Sequence, residues 1–267
     1  MKYFKPIYII VLVLLIGIVA ACSDDSDADL VTEPDLYKLG EFTDNGLTVA
    51  AYSERPLEVG FNNIWFEVHE NGEPFGHPHI HFNTMMHMEH HSHTSPYGEP
   101  GHHRDDEHNL YHGWAIFNMP SGDMGTWELD LTIHDQDHSG IEATGIIDVE
   151  VEPSNRVRTF MTEDESRYVL TLIEPADPSV GMNDLKVALH KRESMMNFPP
   201  VLNATMQFEP WMPSMDHGSS NNVSPVHDEN GFYNGQVNFN MTGDWELRFD
   251  LEIEGVEIDR QTLEIDF

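Results

Sequence analysis

Two short stretches of the sequence combine methionine and histidine at the same spacing, M-x-x-M-x-H. The pattern is formed by Met85, Met88 and His90 in FNTMMHMEHH and by Met212, Met215 and His217 in FEPWMPSMDHG. A thioether is a soft, neutral ligand and imidazole a borderline one, so the combination favours Cu(I) over hard cations. Zn(II) is expected to use His, Cys, Asp or Glu. The methionines therefore point to copper, with His87, His91 and His93 as additions peculiar to the first stretch.

A second candidate ligand array is the segment HPHIH, which contains His77, His79 and His81. Because side chains alternate along a strand, all three would lie on one face. Three buried imidazoles would each need a partner, so an exposed ligand array is favoured over a core face. Fourteen of the 17 histidines lie between His69 and His138, which indicates a local function. The alternative is a solvated, pH-responsive loop.

Further residues extend these candidate sites. His102 and His103 lie in the loop of the first half, and His227 lies at a roughly matching place in the second half. His227 could complete a set with the second M-x-x-M-x-H pattern. Met119 and Met241 precede turns and are more typical of core, since methionine is a common core filler.

The charge of the chain restricts its partners. It has 13 Lys and Arg against 47 Asp and Glu, for a net charge of −34. Such a surface repels nucleic acid and anionic membranes and attracts cations, although solubility alone would also explain it. The sequence has no G-x-S-x-G, P-loop, C-x-x-C or H-E-x-x-H motif, so we do not expect an enzyme.

The first residues indicate export and a lipid anchor. Residues 1–21 combine a basic start with a short apolar run, as in a signal peptide. Residues 19–22, Val-Ala-Ala-Cys, resemble a bacterial lipobox. Cys22 is then the lipidated residue, and residues 22–35 form an acidic tether. The alternative is an uncleaved anchor. Cys22 is the only cysteine, so no intramolecular disulfide can form. We expect the protein in the cell envelope, attached to a membrane through its lipid alone, on a periplasmic or surface face of the outer membrane.

The remaining sequence predicts β-structure in two copies. Segments such as WELDLTIHD and WELRFDLEIEG alternate apolar and polar residues. Three blocks recur in the same order: LEVGFN and PSVGMN, YHGWAIFNM and YNGQVNFNM, GTWELDLTI and GDWELRFDLEI. We therefore predict an all-β protein with two tandem immunoglobulin-like β-sandwich domains, residues 36–153 and 154–267, each of a size typical of that fold.

The second copy resembles the YtkA-like domain family, which is related to FixH-like proteins. The resemblance rests on Ala204, Met212, Pro213, Ser214, Met215, His217, Gly218, Gly231, Tyr233, Gly235, Met241, Gly243 and Trp245. The first copy matches more weakly, through Met85, Met88, His90, Tyr111, Gly113, Met119 and Trp127. The resemblance implies an exported immunoglobulin-like sandwich linked to copper handling or to the assembly of copper-containing oxidases.

These observations lead to one hypothesis and two alternatives. The hypothesis is a lipid-anchored protein that binds Cu(I) for homeostasis, sequestration or delivery to a copper enzyme or transporter of the envelope. The first alternative is a zinc or nickel scavenger that uses the histidines of the first copy. The second is a metal-free interaction or adhesion module.

Overall fold

The computed structural model describes residues 36–135, 140 and 142–267. The predicted signal peptide, Cys22 and the rest of the predicted tether up to residue 35 lie outside the described residues. All regular elements of the described part are β-strands, and none of it forms an apolar helix long enough to cross a membrane. The described residues belong to one compact unit.

The first half of the described chain forms twelve strands. They are β1 (Tyr37–Asp44), β2 (Leu47–Ser53), β3 (Leu57–Glu58), β4 (Gly60–Glu70), β5 (Glu73–Pro74), β6 (Pro78–His87), β7 (Ser92–His93), β8 (Tyr97–Gly98), β9 (Tyr111–Phe117), β10 (Thr126–Asp135), β11 (Glu142–Val149) and β12 (Val151–Glu152).

The second half forms nine strands. They are β13 (Val157–Met161), β14 (Arg167–Glu174), β15 (Gly181–Arg192), β16 (Ala204–Met212), β17 (His217–Gly218), β18 (Val223–His227), β19 (Phe232–Phe239), β20 (Asp244–Ile253) and β21 (Val256–Asp266).

The two halves have the same strand order. In the first, a sheet ordered β1-β2-β4-β9-β8 packs on a sheet ordered β11-β10-β6-β7. In the second, β13-β14-β15-β19-β18 packs on β21-β20-β16-β17. Each pair of sheets encloses its own apolar core, as in a β-sandwich. The predicted all-β sandwich fold is confirmed.

Alternation along the strands explains the layers. In β20 the buried positions run from Trp245 through Leu247 and Phe249 to Ile253, while the intervening positions are polar or charged. Since side chains of a strand point alternately to its two faces, this pattern presents one face to the core and the other to water.

The recurring V-G-x-N block makes the same tight turn in both halves. The side-chain amide of Asn62 donates to the carbonyls of Glu58 and Gly60, at 2.8 and 2.9 Å. The amide of Asn183 donates in the same way to the carbonyls of Ser179 and Gly181, at 2.7 and 2.9 Å. Both glycines have positive φ, which a residue with a side chain rarely adopts.

The two halves pack on each other through a third apolar cluster. Ile116 of the first half is fully buried against Val169 and Phe198 of the second, and the Trp114 and Phe232 rings meet edge to face at 5.4 Å. The strands β14 and β15 are therefore covered on both faces. The division into two domains at residues 153 and 154 stays a prediction, because contacts join both halves into one unit.

This interface contains a histidine that should make stability depend on pH. His190 is 2% exposed, and burial lowers its pKa from 6.5 to about 4. Between pH 6.5 and pH 4 this histidine is protonated in the unfolded chain but neutral in the folded chain. The free energy of unfolding therefore decreases as pH falls from 6.5 toward 4. From pH 7 to pH 5 we expect a loss of about 2 kcal/mol from this group, since one pKa unit corresponds to about 1.4 kcal/mol.

Urea unfolding of the full chain at pH 7 and pH 5 checks this expectation. Substitution of His190 by leucine removes the titrating group and should reduce the difference between the two pH values by about 2 kcal/mol. An unchanged difference in the His190→Leu variant would contradict the assignment.

Candidate metal centre

Three large side chains of the first half form a row across neighbouring strands. Met86 near the end of β6 lies opposite Trp127 of β10 on one side and opposite His93 of β7 on the other. The exposed fractions are 0%, 1% and 6% respectively, so the whole row faces the core. Side chains of directly opposite residues contact each other in antiparallel sheets, and the row is thus one packed unit.

A second methionine reaches this row from the end of β9. The indole Nε1 of Trp127 donates to the carbonyl of Met119 at 3.0 Å, which fixes the backbone of that loop. The Sδ atom of Met119 then lies 3.4 Å from Nε2 of His93. Met119 and His93 are therefore in direct contact, although they are far apart in sequence.

The other ring nitrogen of His93 determines what Nε2 can do. Nδ1 lies 2.8 Å from the carbonyl of Thr94, and since a carbonyl only accepts, Nδ1 carries the hydrogen. Burial is the main cause that lowers the pKa of His93. The hydrogen bond to Thr94 raises this pKa to a lesser extent, and the charge of Arg192 lowers it further, so the ring is neutral at pH 7. In that form Nε2 presents a lone pair to the lone pairs of the Met119 sulfur.

The second half repeats the strand pairing, the hydrogen bond of the histidine Nδ1 and the hydrogen bond of the indole. Met212 at the end of β16 lies opposite His217 of β17 and is 1% exposed. Nδ1 of His217 donates to the carbonyl of Gly218 at 2.9 Å, and its ring lies edge-on to Trp245 at 6.1 Å. The indole of Trp245 donates to the carbonyl of Met241 at 3.1 Å. Met212, His217 and Met241 thus correspond to Met86, His93 and Met119.

The close approach of a glycine to each buried methionine supports this correspondence. A methyl group added at Gly125 would lie 3.0 Å from Cε of Met86, and one at Gly243 would lie 3.2 Å from Cε of Met212. Both glycines have positive φ and stand two residues before the tryptophan of their row. The same glycine-to-methionine contact therefore occurs at the same place in each half.

The pairing of Met85 with Met212 predicted from the M-x-x-M-x-H pattern is wrong by one residue. Met85 lies opposite Glu128 on the outer face of the sheet, and its counterpart is Trp211, which lies opposite Glu246. A shift of one residue moves a side chain to the other face of a strand. The sequence pattern aligns the wrong residues because the two hairpins differ in length. Six residues, 87–92, separate Met86 from His93, whereas four residues, 213–216, separate Met212 from His217.

The other members of the pattern lie in these turns. Met88 packs partly against the first core, whereas His90 is 82% exposed beside the carboxylate of Glu89. Met215 is 58% exposed. His93, interpreted as an addition peculiar to the first half, is instead the counterpart of His217. The sequence pattern thus missed Met86 and His93 and ranked Met119 and Met241 as core.

His227 does not join Met212, contrary to the predicted four-residue set. It lies opposite Tyr233, whose hydroxyl accepts a hydrogen bond from the amide of Ala204 at 3.1 Å. Ala204 and Met212 are the two ends of β16, and this eight-residue step spans about 26 Å at roughly 3.3 Å per residue. His227 therefore lies near the opposite end of the second sandwich.

A separate cluster of imidazoles lies on the outer face of the first half. His79 and His81 project from β6 on one face, as their alternation predicts, with ring centroids 4.2 Å apart. The ring of His102 lies 5.0 Å from His79, and the ring of His134 lies 5.8 Å from His81. Burial, followed by the neighbouring imidazoles His81 and His102, lowers the pKa of His79. His77 and His103 are exposed and lie outside the strands.

This outer histidine cluster is distant from the buried row. His79 and Met86 are seven residues apart on β6, about 23 Å, and they face opposite sides of the sheet. Within residues 36–135, 140 and 142–267, no three His, Cys, Asp or Glu side chains are arranged to hold one metal ion. The outer histidine cluster is among these side chains, whereas the methionine sulfurs of the buried row are not.

Comparison with known protein families gives one match, which lies within the second half. Residues 162–250 match the YtkA-like family model. The match includes β14 to β19 and most of β20, and it covers the row formed by Met212, His217 and Trp245. That the first half resembles the same family stays a prediction. Comparison with curated proteins gave no match.

Several solved structures are similar at low sequence identity. A conserved domain protein from Bacillus anthracis is 10% identical over 88% of this chain and 91% of its own, with a TM-score of 0.35. The Escherichia coli adhesin FdeC is 11% identical over 85% of this chain and 65% of its own, with a TM-score of 0.28. Invasin, a bacterial integrin-binding protein, is 12% identical over 83% of this chain and 39% of its own, with a TM-score of 0.26.

Proposed function

We propose, from the YtkA-like domain of residues 162–250, that this protein binds Cu(I) in the cell envelope, where the lipid on Cys22 anchors it. One site consists of Met86, His93 and Met119. The other consists of Met212, His217 and Met241. The protein acts as a binding protein and not as an enzyme, in copper homeostasis, sequestration or delivery to a copper enzyme or transporter of the envelope.

The observation that carries the proposal is the contact between Nε2 of His93 and Sδ of Met119, at 3.4 Å. With Nδ1 bonded to the carbonyl of Thr94, two electron-pair donors face each other without a proton between them. Such a contact is suited to a shared cation. Bonds of the lengths typical of zinc sites, about 2.0 Å to nitrogen and 2.3 Å to sulfur, separate the two ligand atoms by about 3.5 Å at a tetrahedral angle, close to the 3.4 Å found.

The surroundings of both histidines also suit a metal ligand. Histidine ligands commonly donate their second ring N–H to a backbone carbonyl, which fixes the tautomer and the ring orientation. Thr94 supplies that carbonyl to His93 and Gly218 supplies it to His217. The two sites therefore share their orienting contact as well as their residue types.

The choice of donors favours Cu(I) among the metals. Two thioethers and one imidazole are soft and borderline donors without charge, which disfavours Ca²⁺, Mg²⁺ and Mn²⁺ and suits Cu(I). Zn²⁺ sites instead use thiolate, imidazole and carboxylate. Metal analysis of the chain purified without chelator from cells grown with both copper and zinc tests the proposal, which predicts retained copper. Absence of both metals would favour the metal-free interaction module.

The outer histidine cluster supports a second candidate function, the binding of zinc or nickel. His79, His81, His102 and His134 bring four imidazoles together at the surface, and imidazole suits both metals. No three of them are poised around one point, so binding would require side-chain rearrangement.

Zinc binding by this cluster should be independent of the methionines. We expect replacement of His79 and His134 by glutamine to weaken Zn(II) binding at least about tenfold, by analogy with the tenfold to hundredfold losses at altered metal sites. The Met119→Leu variant should bind Zn(II) like the parent chain. Calorimetric titration measures both, and equal Zn(II) affinity in all three proteins would exclude the cluster as a zinc site.

A further inference from the structure

A groove of about 530 Å³ lies between the two halves of the chain. His93 and Met119 line it from the first half, while Arg167 and Arg192 line it from the second. The groove is therefore built jointly by the two halves, and its charged groups are cationic.

The two arginines are placed without anionic partners. Arg167 of β14 and Arg192 of β15 are directly opposite in the antiparallel register, a position where like charges destabilise a sheet. Although the chain has 47 acidic residues against 13 basic ones, no described carboxylate lies within 4.0 Å of either guanidinium. Arg192 instead contacts the sulfur of Met195. Two adjacent guanidinium groups thus remain available for an anion.

A buried hydrogen-bond acceptor in the same groove also lacks a partner. The side-chain oxygen Oδ1 of Asn118 is inaccessible to solvent, and no described residue donates to it. Leaving a buried carbonyl oxygen without a donor costs free energy, so a ligand with an N–H group would be stabilised there.

The remaining wall of the groove is apolar. Phe160 and Phe198 contribute aromatic surface, and Met161, which is 59% exposed, contributes a flexible thioether. Apolar walls with a few fixed polar groups are typical of sites for small organic ligands.

We propose that this groove binds an organic carboxylate that also carries an amide N–H and an apolar body. Arg167 and Arg192 hold the carboxylate, and the apolar body packs on Phe160 and Phe198. The Asn118 side chain turns toward the groove, so that Oδ1 accepts the amide hydrogen. Guanidinium groups bind carboxylates through paired hydrogen bonds, so the two arginines fix the position and orientation of the carboxylate end of the ligand. This chemistry belongs both to the carboxyl terminus of a peptide and to an N-acylated amino acid. The proposal does not depend on copper.

Calorimetric titration of the metal-free full chain with N-acetylphenylalanine tests it, with N-acetylphenylalaninamide as the uncharged probe. We expect the acid to bind and the amide to bind at least tenfold more weakly. A tetrapeptide ending in phenylalanine, with a free or amidated carboxyl terminus, distinguishes the two sources. Tighter binding of the free peptide than of N-acetylphenylalanine identifies a peptide terminus, and the reverse identifies a small acid.

The Arg167→Gln, Arg192→Gln double variant should lose at least tenfold in affinity for the acid. Its melting temperature should stay the same or rise, because a like-charged pair has been removed. Arg260→Gln, which removes a charge paired with Asp250 at the surface, is the control and should bind like the parent. Equal binding of acid and amide, no binding of the acid by the parent chain, or unchanged affinity in the double variant would each overturn the proposal.

Discussion

Replacement of Met119 by leucine is expected to lower the Cu(I) affinity of the first site at least about a hundredfold. Changes to groups that merely orient a metal ligand cost about tenfold to a hundredfold, so loss of a ligand atom should cost at least the upper value. Leucine keeps the apolar volume and removes only the sulfur, so the fold should be retained. Competition with a chromophoric Cu(I) chelator, in a Cys22→Ser background, measures the affinity of each site.

Two internal comparisons sharpen this experiment. The site formed by Met212, His217 and Met241 is unaltered, so the variant should still bind one equivalent of Cu(I) tightly. Met124→Leu is the matched control, because Met124 lies in the same connection between β9 and β10 but is 61% exposed. Two tight equivalents in the Met119→Leu variant would show that Met119 is not a ligand.

Replacement of Met86 by glutamate is expected to unfold the first half at room temperature. Met86 is fully buried, and an unpaired buried carboxylate costs several kcal/mol, a large share of the roughly 5–15 kcal/mol that stabilises a typical domain. Met85→Glu is the control, since Met85 faces outward beside Glu128 and should cost less than about 1 kcal/mol. Urea unfolding followed by circular dichroism and tryptophan fluorescence measures both variants.

The contrast between these neighbours tests the register of β6. If the sequence alignment of Met85 with Met212 were right, Met85→Glu would be the destabilising change. Similar stability of the two variants would contradict the assignment of Met86 to the core and of Met85 to the outer face.

The fold could be predicted because its physical causes are local. Alternation in segments such as β10 and β20 identifies strands from a few residues, and the blocks ending at Met119 and Met241 reveal the repetition. The V-G-x-N block could be recognised as a repeat, but its cause, the hydrogen bonds of Asn62 and Asn183 across a turn, is visible only in the structure.

The sites were less predictable because they depend on register and on distant strands. The buried positions Ile80, Phe82 and Thr84 alternate with partly exposed ones, and the next buried position in this alternation is Met86. The alternation could therefore have shown that Met86, and not Met85, is the counterpart of Met212. The M-x-x-M-x-H pattern matched at the wrong residues, because the hairpin that joins β6 to β7 is longer than the one that joins β16 to β17. The contact of His93 with Met119 had no local signal, since it joins β7 to the loop after β9.

Proximity in sequence order was also misleading. His227 follows the second pattern closely along the chain, yet the direction of β18 brings it to Tyr233 and the far end of β16. Among the histidines of the first half, His93 is buried in the row, whereas His79 and His81 belong to the outer cluster. A histidine-rich composition therefore contains more than one structural environment, which only the sheet geometry distinguishes.

X-ray absorption at the copper edge of the Cu(I)-loaded full chain, with Cys22 replaced by serine, tests the central claim most directly. Since this chain then has no thiol, any sulfur ligand must be a methionine. We expect two copper ions per chain, each with sulfur and imidazole nitrogen in its first coordination shell. Coordination by nitrogen and oxygen alone, or failure of the chain to retain Cu(I), would contradict the account.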